Sequence, residues 1–181
     1  MNKFGVIVSG FGGQGILFVG YLLAHAAMYE GKNVACVPSY GAEMRGGTAH
    51  CSVLIDHREI YSPIVEQPDI LMAFNRPSVV KFEPRVSPRG LMLLNSSMVD
   101  HSFGCREDIR IIKIAANLEA QKLGDSRVAN LIMLGGLIKA TGIISLDSAR
   151  AALETLLPDH RRNILALNCA ALKTGASMVW H

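Results

Sequence analysis

Charged residues are scarce in this sequence of 181 residues. Asp, Glu, Lys and Arg make up 18% of it, against roughly 25% in an average soluble domain, and the net charge is only +3. A net charge this small produces only a weak electrostatic field, which does not favour nucleic acid or an acidic membrane as a partner. The basic residues also do not cluster with aromatic ones, as they would in a nucleic-acid-binding surface. Because 50% of the residues are hydrophobic, disorder is excluded and we expect some apolar surface to meet a partner.

Cysteine is also limited, and no two cysteines have CxxC spacing. The four lie at Cys36, Cys51, Cys105 and Cys169, without a neighbouring set of Cys or His ligands. A zinc ribbon or an iron–sulfur cluster built by this chain alone is therefore disfavoured, and no metal-binding residue is predicted. Free buried thiols in a reducing cytoplasm are the simpler interpretation.

Long apolar runs are missing as well. The longest, residues 16–29, is interrupted by Gly20 and His25 and falls short of the ~20 residues needed to cross a bilayer. The apolar start at residues 4–8 runs straight into glycines, without the cleavage pattern of a signal peptide. We therefore expect a cytoplasmic protein with no membrane association.

Alternating short apolar runs and helical segments predict an α/β fold. Strands are expected at residues 4–9, 34–37, 48–56, 69–74, 90–95 and 109–114, and helices at 16–29, 77–82, 128–141, 147–156 and 162–174. The run at 34–37 resembles a buried strand stopped by Pro38, and residues 48–61 are compatible with a β-hairpin returning at 59–61. Because ~100–200 residues are usual for a domain, we expect a single Rossmann-like domain over 1–181, mostly parallel, with helices on both faces of the sheet.

Two of the predicted helices are apolar nearly all round. They cover residues 16–29 and 128–140, and the second has only Asn130 and Lys139 as strongly polar residues. A helix that packs on one side of a sheet normally keeps a polar stripe. We infer that their outer faces meet another chain; the alternative is a helix sandwiched inside its own domain.

A glycine-rich turn separates the first predicted strand from the first predicted helix. Gly10, Gly12 and Gly15 fit the pattern G-x-G-x-x-G, which lets a diphosphate approach the backbone at a helix N-terminus. An NAD site would also call for an acidic residue near the end of the second strand, where residues 37–40 are Val-Pro-Ser-Tyr. The turn therefore predicts a phosphate site without favouring NAD; the alternative is that its glycines only turn the chain.

A second polar and glycine-rich segment, residues 39–48, follows the second predicted strand. Parallel strands end at one edge of a sheet, so we expect this segment beside the glycine turn. Arg45, followed by Gly46 and Gly47, can reach a phosphate or carboxylate while nearby backbone N–H groups assist. The alternative is an arginine that pairs with Glu43 or faces solvent.

Further polar residues at predicted strand ends complete this rim. Ser39 and Tyr40 follow the second strand, and Asn75 follows the strand at 69–74. Asn75 can donate a hydrogen bond to a ligand or simply cap the next helix. No triad of nucleophile, base and orienting residue is apparent, so no catalytic residue is predicted.

The sequence resembles the gamma subunit of the 2-oxoacid:ferredoxin oxidoreductases. The resemblance rests on residues 10–15, 38–49, 68–78 and 128–135, which occur in the family's order along nearly the whole chain. The motif Met-Arg-Gly-Gly-Thr at 44–48 looks most like that of the 2-oxoglutarate type. The pyruvate type usually has a phenylalanine loop with paired arginines in this region.

The resemblance implies a complex that oxidatively decarboxylates a 2-oxoacid, conjugates the acyl group to coenzyme A and reduces ferredoxin. Its alpha, beta and ferredoxin-like delta subunits would hold thiamine diphosphate, Mg²⁺ and the [4Fe–4S] clusters. This sequence agrees, because Gly124-Asp125 is followed by Ser126 rather than by the glycine of a thiamine-type Gly-Asp-Gly element. The chain alone is expected to be inactive.

Coenzyme A is the one cofactor that the resemblance implies this chain contacts. The glycine turn and Arg45 become the candidates for its phosphates. The full set of predicted cofactor-binding residues is Gly10, Phe11, Gly12, Gly13, Gln14, Gly15, Ser39, Tyr40, Arg45, Gly46, Gly47 and Asn75.

Two other functions are weighed against this one. A stand-alone, non-catalytic nucleotide-binding module would share the glycine turn but would not need two all-apolar helices, and size-exclusion behaviour would distinguish it. An NAD-dependent dehydrogenase lacks the acidic ribose residue and a catalytic acid–base pair. The sequence leaves open which 2-oxoacid is used, the stoichiometry, and whether the isolated chain forms a homo-oligomer.

Overall fold

A six-stranded sheet organises the chain. The computed structural model describes residues 3–40, 48–100, 102–104 and 106–180. The strands are β1 (Phe4–Phe11), β2 (Asn33–Tyr40), β3 (Thr48–Asp56), β4 (Ile70–Ala73), β5 (Leu91–Asn95) and β6 (Arg110–Ile114). The helices are α1 (Ile16–Tyr29), α2 (Arg76–Phe82), α3 (Ala116–Lys122), α4 (Ala129–Thr141), α5 (Leu146–Leu156) and α6 (Leu165–Ser177), with short 3₁₀ turns at Glu83–Arg85, Ser126–Val128 and Asp159–Ile164.

The strand order is β2-β3-β1-β4-β5-β6. Strands β1, β4, β5 and β6 run parallel, and β3 runs antiparallel to both β1 and β2. Strand β2 therefore points the same way as β1 but is separated from it by β3. The mostly parallel α/β fold is confirmed, and the carboxyl ends of β1, β2, β4, β5 and β6 meet at one edge, called the carboxyl edge below.

Two local predictions about β2 and β3 are wrong. The partner of β3 in its hairpin is β2, while residues 59–61 form no strand. Strand β2 is not buried but lies at the edge of the sheet, and it continues through Pro38 to Tyr40. An edge strand tolerates proline because one row of its backbone groups needs no ladder partner.

The two faces of the sheet are covered unequally. Residues of α1, α3, α4, α5 and α6 join the larger hydrophobic cluster on one face. The smaller cluster on the other face holds Val79 and Phe82 of α2 together with Ile7, Leu71 and Met92 of the strands. Within the described ranges, no helix is long and apolar enough to cross a membrane.

Helix α4 is apolar because its own chain surrounds it. Every residue from Ala129 to Ile138 is buried. Helix α6 packs so closely on α4 that a Cβ on Gly135 would lie 2.0 Å from the carbonyl oxygen of Leu172. The inference that the outer face of this helix meets another chain is therefore wrong, and the sandwiched alternative is correct. Helix α1 leaves Tyr21 and Met28 exposed, and its contact with a partner stays a prediction.

Candidate functional site

The glycine turn joins the end of β1 to the start of α1. Gly13 and Gly15 have φ angles of 95° and 72°, which glycine adopts without steric cost. Gln14 closes the turn, since its Oε1 accepts a hydrogen bond from the Phe11 N–H at 2.6 Å. The Gln14 N–H in turn donates to the Phe11 carbonyl at 3.2 Å. The turn is thus a small, internally bonded unit.

The turn is open on one side and packed on the other. A Cβ on Gly13 would meet nothing within 4 Å, whereas one on Gly15 would lie 2.1 Å from Nδ2 of Asn130 on α4. Helix α1 has no side-chain cap and no acidic residue in its first turn. The partial positive charge of its N-terminus is therefore free to attract an anion that approaches past Gly13.

A cavity of about 240 Å³ adjoins this turn. Its floor comes from α1, α4 and α6, and most of its wall is apolar. The lining residues are Gly13, Gln14, Gly15, Phe18, Asp125, Arg127, Val128, Asn130, Leu131, Leu157, Ile164, Leu167 and Asn168. Apolar walls with a few polar groups are typical of small-molecule sites. We call this space the turn cavity.

Two asparagines contribute polar groups to the turn cavity. Asn168 of α6 is only 4% exposed and lines the cavity. Asn130 of α4 lines it too, with its Nδ2 3.4 Å from the Gly15 carbonyl oxygen and its Oδ1 accepting from the Leu131 N–H. A carboxamide both donates and accepts hydrogen bonds, so Asn168 is suited to bond a polar group of a ligand in the cavity.

A charge pair stands at the mouth of the turn cavity. The guanidinium of Arg127 contacts Asp125 through Nε at 2.9 Å and Nη2 at 2.7 Å. These hydrogen bonds lower the pKa of Asp125, which stays ionised at neutral pH. The Arg127 side chain is 81% exposed, so part of its positive field still reaches an anion at the mouth.

Asn75 lies at the same carboxyl edge, on the other face of the sheet. Its Oδ1 caps α2 by accepting from the N–H of Ser78 at 2.9 Å and from its Oγ at 2.7 Å. Ser9 of β1 extends this network, since its hydroxyl donates to Ser78 Oγ at 2.9 Å. Nδ2 of Asn75 is buried without a partner among the described residues. The predicted helix cap at Asn75 is confirmed, and donation from its Nδ2 to a ligand stays a prediction.

Two larger cavities, of about 480 and 570 Å³, lie at the opposite edge of the sheet. They are lined by Lys3 and Arg58 and, in the larger one, by residues at the amino ends of β4, β5 and β6. Parallel sheets bind ligands beyond the carboxyl ends of their strands. We therefore place the candidate site at the glycine turn and the turn cavity, although its volume is smaller.

Comparison with known protein families shows which family the chain belongs to. Residues 5–178 match the family described as pyruvate ferredoxin/flavodoxin oxidoreductase. This chain belongs to that oxidoreductase family. The resemblance inferred from the motifs is confirmed by a match that covers nearly the whole sequence.

Relatives in the family differ in length and in the substrate they are named for. Ketoisovalerate oxidoreductase subunit VorA of Methanothermobacter marburgensis is 39% identical over 94% of this chain, which spans only 35% of VorA. The 2-oxoglutarate synthase subunit KorC of the same organism is 33% identical over 88% of this chain and 90% of KorC. The matching unit therefore makes up about a third of VorA and nearly the whole of KorC.

Solved structures agree with the family assignment. The gamma subunit of a keto/oxoacid ferredoxin oxidoreductase from Geobacter sulfurreducens superposes with a TM-score of 0.82 at 27% identity and covers 97% of both chains. A 2-oxoglutarate:ferredoxin oxidoreductase from Magnetococcus marinus, with 2-oxoglutarate, coenzyme A and succinyl-CoA bound, has a TM-score of 0.89. That likeness is at 22% identity, covers 98% of this chain and 31% of that chain, and concerns the fold alone.

The structure brings together some of the predicted site residues of this oxidoreductase chain. Residues 10–15 form one turn, and Asn75 follows the neighbouring strand β4 at the same edge. Ser39 and Tyr40 end β2 at this edge, but β3 separates them from the turn by about 10 Å, two strand spacings. Residues Arg45, Gly46 and Gly47 lie outside the described residues.

Sequence reasoning missed Asn168 and Ser9 as members of this region. Asn168 lies on α6, where a polar residue among apolar ones gave a weak signal of something to bond. Ser9 lies within the buried run of β1, and its hydroxyl completes the Ser78–Asn75 network. Both depend on contacts between segments far apart in the chain, which no local pattern reports.

Proposed function

We propose that this chain is the gamma subunit of a 2-oxoacid:ferredoxin oxidoreductase and binds part of coenzyme A for the assembled enzyme. In that reaction a 2-oxoacid and coenzyme A yield an acyl-CoA and CO₂, and two electrons pass to ferredoxin. Similarity to KorC over 90% of its length supports the subunit assignment. The observation that supports the binding role is an open glycine turn beside a cavity that is lined by the buried residue Asn168.

The geometry suits a phosphate-bearing, partly apolar ligand. A phosphate at Gly13 would meet the uncapped N-terminus of α1, and Arg127 would add positive charge at the mouth. The apolar side chains of Phe18 and Leu131 would contact a less polar portion, while Asn168 would bond its polar edge. At about 240 Å³ the cavity takes one portion of coenzyme A, and Arg45 is proposed to contact a phosphate outside it.

We assign the remaining cofactors to partner subunits. The described part of the chain has no group of three or more His, Cys, Asp or Glu residues able to hold a metal ion. Thiamine diphosphate, Mg²⁺ and the [4Fe–4S] clusters are accordingly proposed on the alpha, beta and ferredoxin-like delta subunits. The free thiols favour a reducing compartment, and we propose the cytoplasm.

The proposed 2-oxoacid is 2-oxoglutarate, because the motif at residues 44–48 resembles that of the 2-oxoglutarate type. VorA, at 39% identity, makes ketoisovalerate the competing substrate. Assays of the assembled enzyme with each acid, at saturating coenzyme A, compare the two directly. A higher kcat/KM with 2-oxoglutarate is the expected result, and a higher value with ketoisovalerate would reverse this choice.

Arg45→Ala in the assembled enzyme tests the binding role. We expect the KM for coenzyme A to rise about tenfold, roughly 1.4 kcal/mol, because a charge-assisted contact with a phosphate is lost. The rate at saturating coenzyme A and the KM for the 2-oxoacid should stay unchanged. The measurement is 2-oxoacid-dependent reduction of a viologen dye over a range of coenzyme A concentrations.

Arg150→Ala is the matched control, because Arg150 is an exposed arginine on α5 paired with Glu154 and does not line the turn cavity. Its KM for coenzyme A should equal that of the wild type. Asn168→Leu provides a second probe inside the cavity, with an expected rise of the same KM. An unchanged KM for coenzyme A in both Arg45→Ala and Asn168→Leu would overturn the binding role.

A further inference from the structure

Two cysteines outside the candidate site lie in contact. Sγ of Cys36 on β2 and Sγ of Cys51 on β3 are 3.3 Å apart. In the register of this hairpin Cys36 is opposite Val53 and Cys51 is opposite Pro38. The two cysteines are therefore diagonal neighbours on one face of the sheet, within side-chain reach of each other.

The surroundings of the two thiols are unequal. Cys51 is fully buried, whereas Cys36 is partly exposed on an edge strand. Gly20 of α1 makes the room for the inner thiol, since a Cβ there would lie 2.5 Å from Sγ of Cys51. A reagent in solution can thus reach Cys36 first, and Cys51 is reached through Cys36.

The contact also makes the two thiols chemically different. The hydrogen bond from Cys51 lowers the pKa of Cys36, while the same bond, together with burial, raises the pKa of Cys51. A thiolate, rather than a thiol, is the nucleophile in exchange with disulfides. An accessible cysteine of lowered pKa beside a second, buried cysteine is the arrangement of an attacking and a resolving pair.

We propose that Cys36 and Cys51 form a thiol–disulfide couple that reacts with low-molecular-weight disulfides. The Cys36 thiolate attacks one sulfur of the reagent, forms a mixed disulfide and releases one thiolate. Cys51 then loses its proton, and its thiolate attacks Sγ of Cys36, which forms the Cys36–Cys51 bond and releases the second half of the reagent as a thiolate that takes up a proton. Two protein thiols are oxidised and one small disulfide is reduced to two thiols.

The hairpin can accommodate this bond with a small movement. A disulfide has an S–S length of about 2.05 Å, so the two sulfurs must approach by roughly 1.2 Å. Strand β2 is held by β3 on one side only, so it has freedom to shift. The bond would fasten β2 to β3 four residues before Tyr40, the last residue of β2. The couple does not depend on coenzyme A binding.

Peptide mapping of the full-length chain after incubation with oxidised glutathione tests the couple. Trypsin cleaves after Lys32, Arg45 and Arg58, which places Cys36 and Cys51 on separate peptides, 33–45 and 46–58. We expect loss of two free thiols and a disulfide-linked pair of these peptides that disappears on reduction with dithiothreitol. A map without this linked pair, or one that links either peptide to Cys105 or Cys169 instead, would overturn the proposal.

Variants separate the two steps. Cys51→Ala should stop the reaction at a mixed disulfide between Cys36 and glutathione, because the resolving thiol is gone. Cys36→Ser should leave Cys51 reduced, since the reagent cannot reach it, and Cys169→Ser should still form the linked peptides. Rapid labelling of Cys51 by glutathione in Cys36→Ser would contradict the order of attack. The wild-type map decides the proposal even where a variant fails to fold.

Discussion

Glu30 and Lys32 connect the end of α1 to the start of α5. Lys32 Nζ donates to Glu30 Oε2 at 2.7 Å and to the carbonyl of Ile143 at 2.5 Å, and the Ser145 N–H donates to Glu30 Oε1 at 2.6 Å. Partial burial by itself raises the pKa of Glu30, but these hydrogen bonds outweigh it and lower the pKa to about 2. The ionised carboxylate is therefore part of what fixes this corner.

Glu30→Gln should lower the free energy of unfolding by about 1–2 kcal/mol at pH 7, because hydrogen bonds to a charged group are lost. The folded pKa lies below the ordinary value of 4.5, so this contribution is complete above pH 4.5 and is lost as the pH falls towards 2. The difference between wild type and variant should thus shrink from pH 7 to pH 3. Urea unfolding at both pH values measures it.

Glu154→Gln is the control for this residue. Its side chain is 46% exposed, against 23% for Glu30, and it pairs with Arg150 four residues earlier on the same helix. An exposed pair of this kind contributes about 0.3–0.5 kcal/mol. Equal losses in the two variants, or a Glu30→Gln effect that does not change with pH, would contradict the assigned role.

Single residues were predictable where their chemistry is local. Asn75 comes before Arg76-Pro77, and an asparagine followed by a proline in the first turn is typical of a helix start. In the structure it does cap α2. Ser145, a residue type that favours helix N-termini, accepts a hydrogen bond from the Ser148 N–H and so caps α5. The spare Nδ2 of Asn75 and the place of Asn168 in the turn cavity were not predictable, because each depends on how segments far apart in the chain pack.

At the scale of elements, the sequence predicted where most strands and helices lie but not how β3 pairs. The bounds of α1 and β3 are as expected, since apolar runs between glycine and polar segments are local signals. Strand β3 lies between β1 and β2 in the sheet. This position depends on contacts between strands, which local sequence patterns do not report. Helix α3 was missed because a helix of seven residues carries little periodicity.

Helix α4 was misjudged for a related reason. Its apolar surface was correctly recognised, but the sequence did not show that α6 would cover it through backbone contact at Gly135 and Gly175. A Cβ on Gly175 would lie 1.8 Å from the carbonyl oxygen of Ile132. Two small residues therefore allow the helices to approach, and they explain why an all-apolar helix needs no partner chain.

Gly175→Ala tests this contact between elements. A backbone carbonyl cannot move aside as a flexible side chain can, so we expect the free energy of unfolding to fall by about 3 kcal/mol or more. This loss outweighs the ~1 kcal/mol that alanine gains over glycine in a helix. Urea unfolding measures the change.

Ser177→Thr is the matched control, since it adds one methyl group to an exposed position of the same helix. We expect its stability to stay within about 0.5 kcal/mol of the wild type, as is usual for surface substitutions. A Gly175→Ala protein as stable as Ser177→Thr would show that α4 and α6 are not packed backbone to backbone.

At the scale of the molecule, the potential ligand groups gather at the carboxyl edge while the helices lie mostly on one face. The glycine turn and the turn cavity belong to the helical face, and Asn75 with Ser9 and Ser78 belongs to the other. The order of strands and glycine-rich turns along the sequence predicted that these groups would gather at the carboxyl edge. The division between two faces was not, because it depends on how α4 and α6 pack.

The purified chain alone is expected to show no 2-oxoacid-dependent reduction of a viologen dye, even with coenzyme A, thiamine diphosphate and Mg²⁺ supplied. Among the described residues none form a cluster of three or more metal-ligating side chains, and the turn cavity offers amides, one arginine and one aspartate rather than a nucleophile with its base. Such groups can hold an anion, but amides, an arginine and an aspartate are not electron carriers. Adding the co-expressed partner subunits should restore turnover, and the Arg45→Ala chain in the same reconstitution should restore it only at higher coenzyme A concentrations. Steady turnover by the chain without partners would place reactive chemistry here and contradict a binding role.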